Sequence, residues 1–450
     1  MTSTLRICVI GSGIAGLSAA WLLSRRHDVT LFETEPRPGG HSNTVEAPGK
    51  LGLVPVDTGF IVYNVASYPN LIALFDHLAV PTVPTEMSFA VSLDDGRYEY
   101  AGASFATLFG QRSNLFSRSH WRMLADTLRF FREAPSLAEA ATDEALTLGA
   151  YLAREGYSNA FIERHILPMA AAIWSSPAST VLDFPAAAFV RFFSNHGLLQ
   201  INERPQWRTV IGGSREYVRR LLADFRGDVR LGESAKGVRR TSGGVLIETD
   251  QQTYAFDACI IAAHADDALE MLRDPDTEEK DLLSAFRYSR NHTVLHTDRA
   301  LMPLRSGLWS SWNYLGRGTG INAKLSVSYW MNKLQPLGDD ANDLFVTLNP
   351  CRDIAPANTI AKFDYMHPVF DAGAMRAQRE LWRLQGRRRT WFCGSYFGYG
   401  FHEDGLQSGL AAAENLGGVR RPWTVVNESG RIHLPSPDTR RPSLTREAAA

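Results

Sequence analysis

A glycine-rich loop near the start of the chain has the spacing of a phosphate cradle. Gly11, Gly13 and Gly16 form a G-x-G-x-x-G motif between an apolar strand and a predicted helix. Gly11 permits a tight turn, Gly13 lets a pyrophosphate approach the backbone, and Gly16 lets the helix pack closely on the strand. The free N–H groups at the start of the helix, at Ile14 and Ala15, and the positive end of its dipole favour phosphate charge.

An acidic residue follows this loop at the distance that ribose recognition requires. Glu33 closes a second strand, Val29–Phe32, about 20 residues after the glycines, where a carboxylate accepts hydrogen bonds from ribose hydroxyls. A carboxylate at this position argues against a 2′-phosphate and hence against NADP. The order strand, glycine loop, helix, strand and acid predicts a Rossmann-type dinucleotide-binding unit.

The elements that hold these residues recur in three separate parts of the chain. A second α/β stretch opens at Gly212-Gly-Ser214 with a predicted helix at Tyr217–Phe225, and a third has a strand at Thr390–Cys393 and a helix at Leu406–Leu416. Two insertions separate the three parts. We therefore expect an α/β fold in which a discontinuous Rossmann-type domain is interleaved with an α+β substrate domain. The expected boundaries are 1–69, 205–285 and 386–420 for the first domain, 70–204 and 286–385 for the second, and 421–450 for a loose tail.

Composition narrows the class of protein. The 450 residues are 44% hydrophobic and carry a formal net charge of −1, which gives no reason to expect nucleic-acid binding. The four cysteines lie far apart and none has a metal-ligand spacing, so we expect a reducing compartment and no metal. The sequence shows no signal peptide and no apolar run long enough to cross a bilayer. We expect a cytoplasmic protein, with peripheral membrane contact left open.

The residues after Glu33 resemble a known group of flavoproteins. The run from Glu33 through Gly39, Gly40 and His41 is similar to an extension in the flavin-containing amine oxidase superfamily, which includes amine oxidases, protoporphyrinogen oxidase and phytoene-type desaturases. The resemblance implies FAD, with the paired glycines letting the chain pass close to the flavin. His41 stands where many members have arginine, so an arginine-like contact is not assumed there.

Further motifs extend this resemblance over the chain up to the tail. Gly212-Gly-Ser214 is similar to the central glycine pair, Ala235–Val238 to the strand whose backbone meets the adenine, and the segment from Gly394 to Gly409 to the last flavin-contacting part. A tight turn at Thr58-Gly59 adds a further contact. The expected FAD-binding residues are Gly11, Gly13, Ile14, Ala15, Gly16, Glu33, Gly39, Gly40, His41, Thr58, Gly59, Ala235, Gly394, Asp404, Gly405 and Leu406.

The start of the last helix is expected to interact with the flavin. Asp404 is expected to be its N-cap, with Gln407 as the matching third helical residue. The N–H groups of Gly405 and Leu406 would then point at the flavin. A helix N-terminus stabilises the negative charge of a reduced flavin.

A narrower resemblance concerns the substrate. The run Tyr396–Gly405, together with Tyr329–Gln335 and Leu348-Asn-Pro350, is similar to a bacterial subfamily of predicted NAD/FAD-binding proteins that accompany cyclopropane-fatty-acid-synthase-type methyltransferases. Some members are linked to desaturating methylated acyl chains on the way to furan fatty acids. This resemblance implies a lipid or fatty-acyl substrate, hydride transfer to flavin N5 and a partner methyltransferase. Amine oxidation, polyene desaturation or isomerisation, and a non-catalytic flavoprotein scaffold remain open.

His402 and Glu403 are the candidate catalytic bases because they stand in the predicted loop before the last helix. Hydrogen bonds that stabilise this loop are the alternative role for both. Amine oxidases often have a lysine near flavin N5, and Lys324 lies in the corresponding half of the chain. Lys324 belongs to no recognisable motif, so a surface or core-edge position is the simpler interpretation.

Two groups of aromatic side chains suggest an apolar path. Tyr396, Phe397, Tyr399 and Phe401 are expected nearest the flavin, whereas most other aromatics of the second domain are expected in its core. The stretch Arg112–Arg132 has five arginines against one acid, with Phe116, Trp121, Leu124, Leu128 and Phe131 interleaved at helical spacing. Such a stretch fits either a basic amphipathic helix on an anionic membrane or an ordinary packed surface helix. The sequence alone favours the second.

Overall fold

A five-stranded parallel sheet forms the centre of the first domain. The computed structural model describes residues 4–139, 146–174, 181–200, 205–317, 324–338 and 341–435. The sheet order, in which all neighbours are parallel, is Asp228–Leu231, Asp28–Glu33, Arg6–Ile10, Ala258–Ile261 and Thr390–Phe392. Ile7, Cys8 and Val9 are fully buried, as expected for a parallel sheet covered on both faces. The predicted α/β fold is confirmed, while the predicted domain boundaries stay a prediction.

The second large sheet has seven strands and is mixed. Its order is Thr359–Val369, Arg287–His296, Phe345–Leu348, Lys324–Trp330, Trp312–Arg317, Phe89–Leu93 and Tyr98–Ala101. Neighbours are antiparallel except for Trp312–Arg317 beside Phe89–Leu93. Three smaller sheets pair Thr44–Pro48 with Leu53–Asp57, then Tyr63–Asn64, Trp207–Val210 and Thr82–Thr85, and finally Ala235–Arg240, Val245–Thr249 and Thr253–Phe256.

Three helices matter most for the site: the N-terminal helix Ile14–Leu23, the basic helix Arg118–Glu133 and the C-terminal helix His402–Gly417. The other α-helices of the described residues are Pro69–His77, Phe105–Leu108, Pro135–Glu139, Leu148–Arg154, Asn159–Phe161, Leu167–Trp174, Ala186–Asn195, Arg215–Asp224, Ala265–Met271, Thr277–Leu283, Met331–Leu334 and Ala372–Glu380.

The N-terminal and C-terminal helices touch backbone to backbone. Every residue of Ile14–Leu23 is buried. A Cβ atom on Gly409 would lie 2.1 Å from the carbonyl oxygen of Ala15, and one on Gly16 would lie 1.9 Å from that of Gly11. Only glycine permits such close approach. The contact at Gly409 joins the two helices, and Gly405, one turn earlier, lies beside Ile14 at the edge of the glycine loop.

The C-terminal helix begins earlier than the sequence predicts. Its first residue is His402 rather than Leu406, which makes Asp404 the third helical residue. The Asp404 carboxylate reaches back and accepts hydrogen bonds from the N–H groups of Tyr399 (3.0 Å) and Phe401 (2.8 Å). The prediction of Asp404 as N-cap with Gln407 as its partner is therefore wrong. Gln407 instead bonds to Glu403 and to the N–H of Arg431.

Residues 421–435 pack against this helix. The buried Arg421 side chain bonds to Glu414 at 2.8 Å, and Trp423 stacks on Trp21 with ring centroids 5.9 Å apart. The Nε atom of Arg431 lies 2.5 Å from Oδ1 of Asp404. The expectation of a loose tail is wrong for these residues because their arginines serve as partners for carboxylates on the helix. Residues 436–450 lie outside the described part of the chain.

Removing one partner of the Asp404–Arg431 pair should destabilise the protein strongly. Their side chains are 0% and 14% exposed, and breaking a buried pair typically costs about 3–5 kcal/mol because a charge is left unpaired. We expect Asp404→Ala to lower the free energy of unfolding by this amount in urea titrations. The double variant Asp404→Ala/Arg431→Met should lose clearly less than the sum of the single variants. Additive losses would contradict the coupling.

Candidate active site

A cavity of about 1240 Å³ is lined both by the glycine loop and by residues of the second large sheet and its helices. Its lining includes Gly11 and Gly13 of the glycine loop, Gly59 and His402, and Leu124 and Met169. The volume exceeds the roughly 300–1,000 Å³ of a typical small-ligand pocket. The cavity therefore has room for a large cofactor and a second molecule.

The cradle end of the cavity is held by hydrogen bonds between the two glycine loops. The Glu33 carboxylate accepts from the N–H of Ser12 at 2.9 Å and from its hydroxyl at 2.5 Å. The N–H of Gly39 donates to the carbonyl oxygen of Ser12 at 3.0 Å. Glu33 still lines the cavity, so its carboxylate is available to a ribose there.

Two features of this end fit the binding of FAD. A Cβ atom built on Gly13 has no protein atom within 4 Å, so the missing side chain leaves open space toward the cavity. The Nε2 atom of His41 is buried in the cavity wall without a hydrogen-bond partner, which is unusual for a buried polar atom. The residues present thus provide both the opening and an unsatisfied polar group for a bound phosphate or flavin.

Most of the expected site residues face this cavity. Those in the lining are Gly11, Gly13, Ile14, Ala15, Glu33, Gly40, His41, Thr58, Gly59, Ala235, Gly394, His402 and Gly405. The ones outside it are Gly16, Gly39, Glu403, Asp404 and Leu406. Gly16 and Gly39 act through the shape of the backbone, and Leu406 is fully buried in the core beneath the helix.

The expected direction of the helix N–H groups needs a correction. The N–H of Gly405 donates to the carbonyl oxygen of Phe401 at 3.1 Å, so it does not point at the cavity. Because the helix starts at His402, Gly405 and Leu406 already lie inside its first turns. Gly405 contributes a surface without a side chain to the cavity instead.

His402 lies in the cavity wall and is fixed from two directions. Its ring stacks on Phe60 with centroids 3.8 Å apart and an interplanar angle of 9°. Its Nε2 atom lies 2.7 Å from the Tyr217 hydroxyl and 3.1 Å from the Ser42 hydroxyl, and those two hydroxyls also bond to each other. Burial lowers the pKa of His402 to about 3, so the imidazole is neutral at physiological pH.

Glu403 has a structural role instead. Its carboxylate is fully buried and accepts hydrogen bonds from the N–H groups of Asn70 (3.0 Å) and Leu71 (3.0 Å) and from the side chains of Asn70 and Gln407. It therefore caps the helix Pro69–His77 from another helix. Since it does not line the cavity, it is not placed to act as a catalytic base.

A buried carboxylate that sequence reasoning missed joins three distant segments behind the cavity. Asp57 accepts from the N–H of Ser214 at 2.9 Å and from the side chains of Thr44 (2.6 Å) and Gln335 (2.8 Å). Burial raises its pKa to about 6 despite these bonds. The neighbouring Gly213, with φ +86°, presents Ser214 to it. Ser214 and Gln335 stood in recognised motifs, but nothing in the sequence linked either of them to Asp57.

The outer arm of the cavity is apolar. Its wall includes Met87, Phe89, Leu124, Phe131, Met169 and Ile173. Two of its polar side chains bond to backbone carbonyl oxygens: the Tyr100 hydroxyl donates to that of Arg164 at 2.9 Å, and the Thr127 hydroxyl to that of Met123 at 2.9 Å. This arm is the part of the lining that comes from segments 70–204 and 286–385, and its described lining residues include no carboxylate, lysine or arginine. The charged lining residues, all from segments 1–69 and 205–285, are Glu33, Glu233, Lys236, Asp267 and Glu270.

The aromatic predictions divide between cavity and core. Tyr396, Tyr399 and Phe401 line the cavity, whereas Phe397 does not. Phe192, Trp312 and Tyr329 also line it, and Phe189, Phe193, Trp309, Tyr314 and Trp330 lie outside the lining.

The backbone of Lys324 pairs with Arg317 in the second sheet. The side chains of Lys324 and Trp174 lie outside what the structure describes.

Comparison with known proteins identifies the family. A family model described as flavin containing amine oxidoreductase matches residues 14–297, which is more than half of the chain. The chain belongs to this family. Its cofactor is therefore FAD. A putative flavin-containing monoamine oxidase from Mycobacterium tuberculosis is 26% identical over 271 residues, and the match covers 58% of this chain and 57% of that relative.

Solved structures share the fold of these flavin-containing amine oxidoreductases. Putrescine oxidase with bound putrescine has a TM-score of 0.66 at 15% identity, over 92% of this chain and 99% of that one. Cyclohexylamine oxidase from Brevibacterium oxydans has a TM-score of 0.65 at 16% identity, over 91% and 98%. A fatty acid isomerase from P. acnes that produces CLA has a TM-score of 0.63 at 16% identity, over 91% and 97%. No helix among the described residues is long and apolar enough to span a membrane.

Replacing Gly13 with valine should prevent FAD binding without unfolding the protein. The new side chain meets no protein atom but fills the space in front of the glycine loop. We expect the purified variant to lack flavin absorbance while its unfolding free energy without FAD changes by no more than about 1 kcal/mol. Gly243→Val, at a glycine that is equally unobstructed but outside the cavity, is the matched control and should keep its flavin. Retention of FAD by Gly13→Val would contradict this location of the pyrophosphate.

The burial of His402 should make its contribution to stability depend on pH. Below the unfolded-state pKa of about 6.5 the unfolded chain binds a proton that the folded His402, with a pKa of about 3, does not bind. The stability of the wild type relative to His402→Phe should therefore fall as pH decreases from 6.5 toward 3, by up to about 1.4 kcal/mol per pH unit. Urea titrations at several pH values measure this difference. Tyr217→Phe keeps His402, so its stability should depend on pH as that of the wild type does. A stability difference between wild type and His402→Phe that does not change with pH would contradict the lowered pKa of His402.

Proposed function

We propose that this protein is an FAD-dependent oxidoreductase that dehydrogenates an acyl chain of a fatty acid or phospholipid. The observation that carries the proposal is the apolar outer arm, which belongs to the same cavity as the glycine loop and His402 and has no carboxylate among its described lining residues. A cationic amine has no ion-pair partner in such an arm. An acyl chain is held there by burial, at about 0.8 kcal/mol for each methylene.

The chemistry requires little of the protein besides position and one proton acceptor. When bound, FAD supplies the acceptor for a hydride from one carbon of the chain. His402 is the group that takes the proton from the neighbouring carbon, which leaves a carbon–carbon double bond. An imidazole with a pKa of about 3 is a weak base. It suffices only because loss of the hydride first makes the adjacent C–H bond strongly acidic.

The hydroxyls behind His402 help it in this role. Tyr217 and Ser42 both lie within hydrogen-bond distance of Nε2 and bond to one another. They fix the imidazole plane together with the stacked Phe60, and they offer a path on which a proton can leave the buried site. An allylic or branched position of the acyl chain is the expected site of reaction, because an unactivated alkyl C–H bond is harder to break.

Amine oxidation is the second candidate, because the names of the family, of the Mycobacterium tuberculosis relative and of two similar solved structures refer to amine substrates. Anaerobic mixing of the purified holoprotein with each substrate class distinguishes the two. Phospholipids with unsaturated or methyl-branched chains should bleach the flavin absorbance, and primary amines should not. Bleaching by amines alone would replace the lipid proposal, and bleaching by neither would favour a non-catalytic partner of the lipid methyltransferase that the sequence resemblance suggests.

Two pairs of variants sharpen this experiment. His402→Gln should keep FAD but slow flavin reduction at least about 100-fold, as for a lost general base. Glu403→Gln should lower stability and leave the reduction rate per bound flavin unchanged. In the outer arm, Met169→Glu should abolish reduction by lipid, whereas the volume-conserving Met169→Leu should not. Equal rates for the two Met169 variants would show that the chain binds elsewhere.

A further inference from the structure

The outer arm opens beside a group of exposed apolar side chains, which we call the mouth patch: Phe105, Leu115, Phe116, Trp121 and Leu128. Their exposed fractions range from 42% for Leu115 to 89% for Phe116. Phe105, Trp121 and Leu128 also line the cavity, so the patch and the opening share one surface. Large exposed apolar groups gathered in one place mark an interaction site more often than scattered ones do.

Contacts within the mouth patch make it a fixed surface. The Phe109 ring lies 4.8 Å from that of Phe105 and 4.9 Å from that of Trp121, measured between centroids. The indole N–H of Trp121 donates to the carbonyl oxygen of Leu115 at 2.9 Å. The segments Phe105–Leu108 and Arg112–Phe116 therefore present their apolar side chains on the same surface as the basic helix that follows them.

Positive charge lies directly beside the patch. At about 100° per residue, Trp121 and Leu128 fall within about 20° of each other on the basic helix, and Arg118, Arg122 and Arg129 within about 40° of one another on the adjoining strip. The stretch 112–132 contains five arginines and the single acid Asp126. Asp126, whose side chain is only 4% exposed, pairs with Arg122 and Arg129 and accepts from the N–H of Ser158, and Glu133, the last residue of the helix, pairs with Arg132. The exposed Arg112 and Arg118 carry the remaining positive charge of the stretch. The exposed face is thus apolar at the cavity mouth and basic along its side.

We propose that the mouth patch docks on an anionic phospholipid bilayer, so that an acyl chain passes from the bilayer into the cavity. Apolar side chains that enter the acyl region and arginines that meet anionic headgroups are the two components of interfacial binding. This route also avoids transfer of the free chain from the bilayer into water, an equilibrium that is disfavoured by about fourfold for each methylene exposed. The identity of the entering molecule rests on the proposed function, but docking can be measured without turnover.

Sedimentation of the holoprotein with vesicles tests the docking. We expect binding to vesicles of phosphatidylcholine with phosphatidylglycerol, weaker binding to phosphatidylcholine alone, and a loss of the difference at high salt. Phe116→Ser and the pair Arg112→Glu/Arg118→Glu should each weaken binding to the anionic vesicles at least about tenfold. Phe116 does not line the cavity, so its replacement should leave FAD binding intact.

Matched controls lie outside the mouth patch and the basic helix. Val426→Ser removes an apolar side chain that is 85% exposed, and Arg219→Glu/Arg226→Glu makes the same change in charge. Both should bind vesicles like the wild type. Absence of vesicle binding, equal binding with and without phosphatidylglycerol, or equal losses in the control variants would overturn the proposal.

The two proposals fail in different ways. If dispersed short-chain lipid reduces the flavin but vesicles do not bind, only the docking is wrong. If the vesicles bind with the expected dependence on Phe116 and the arginines, but no lipid reduces the flavin, the docking stands and the proposed substrate is wrong.

Discussion

The close contact between the N-terminal and C-terminal helices is the constraint on which the site depends. With no side chain on Gly409, the backbone of the C-terminal helix lies against the carbonyl oxygen of Ala15. This contact sets the first turn of one helix beside the glycine loop that starts the other, and it fixes where His402 enters the cavity wall. A cradle of this kind cannot be built from one end of the chain alone, because its walls come from residues nearly 400 positions apart.

Buried carboxylates around the cavity work as connectors. Glu403 joins the C-terminal helix to the helix Pro69–His77, Asp404 holds the preceding loop and Arg431, and Asp57 links Thr44, Ser214 and Gln335. Each has several donors directed at it, as an ionised or partly ionised group in the interior requires. His402, the candidate base in the cavity wall, is by contrast a neutral imidazole, which fits chemistry in which hydride departure comes first.

The sequence predicts the cradle well because local backbone requirements leave a direct trace in residue type. Gly11, Gly13 and Glu33 lie at the spacing that a strand, turn and helix impose, and the parallel sheet follows from apolar runs such as Ile7–Ile10. The start of the C-terminal helix was harder to predict, since Asp404 suits an N-cap and a third helical position equally well. Contacts between distant segments, such as Asp57 with Gln335 or Arg431 with Asp404, leave no local pattern, and so the roles of Glu403 and of residues 421–435 could not be foreseen.

The sheet order also bears on how the chain folds. The strand Arg6–Ile10 is central, yet its neighbour Ala258–Ile261 and the edge strand Thr390–Phe392 come much later in the chain. During synthesis, the first strands and their apolar helix must wait until more than half of the chain has emerged before the sheet can form around them. Contacts of such large sequence separation slow folding and leave apolar surface exposed meanwhile. The first domain should therefore depend more on chaperones during translation than its ordinary composition suggests.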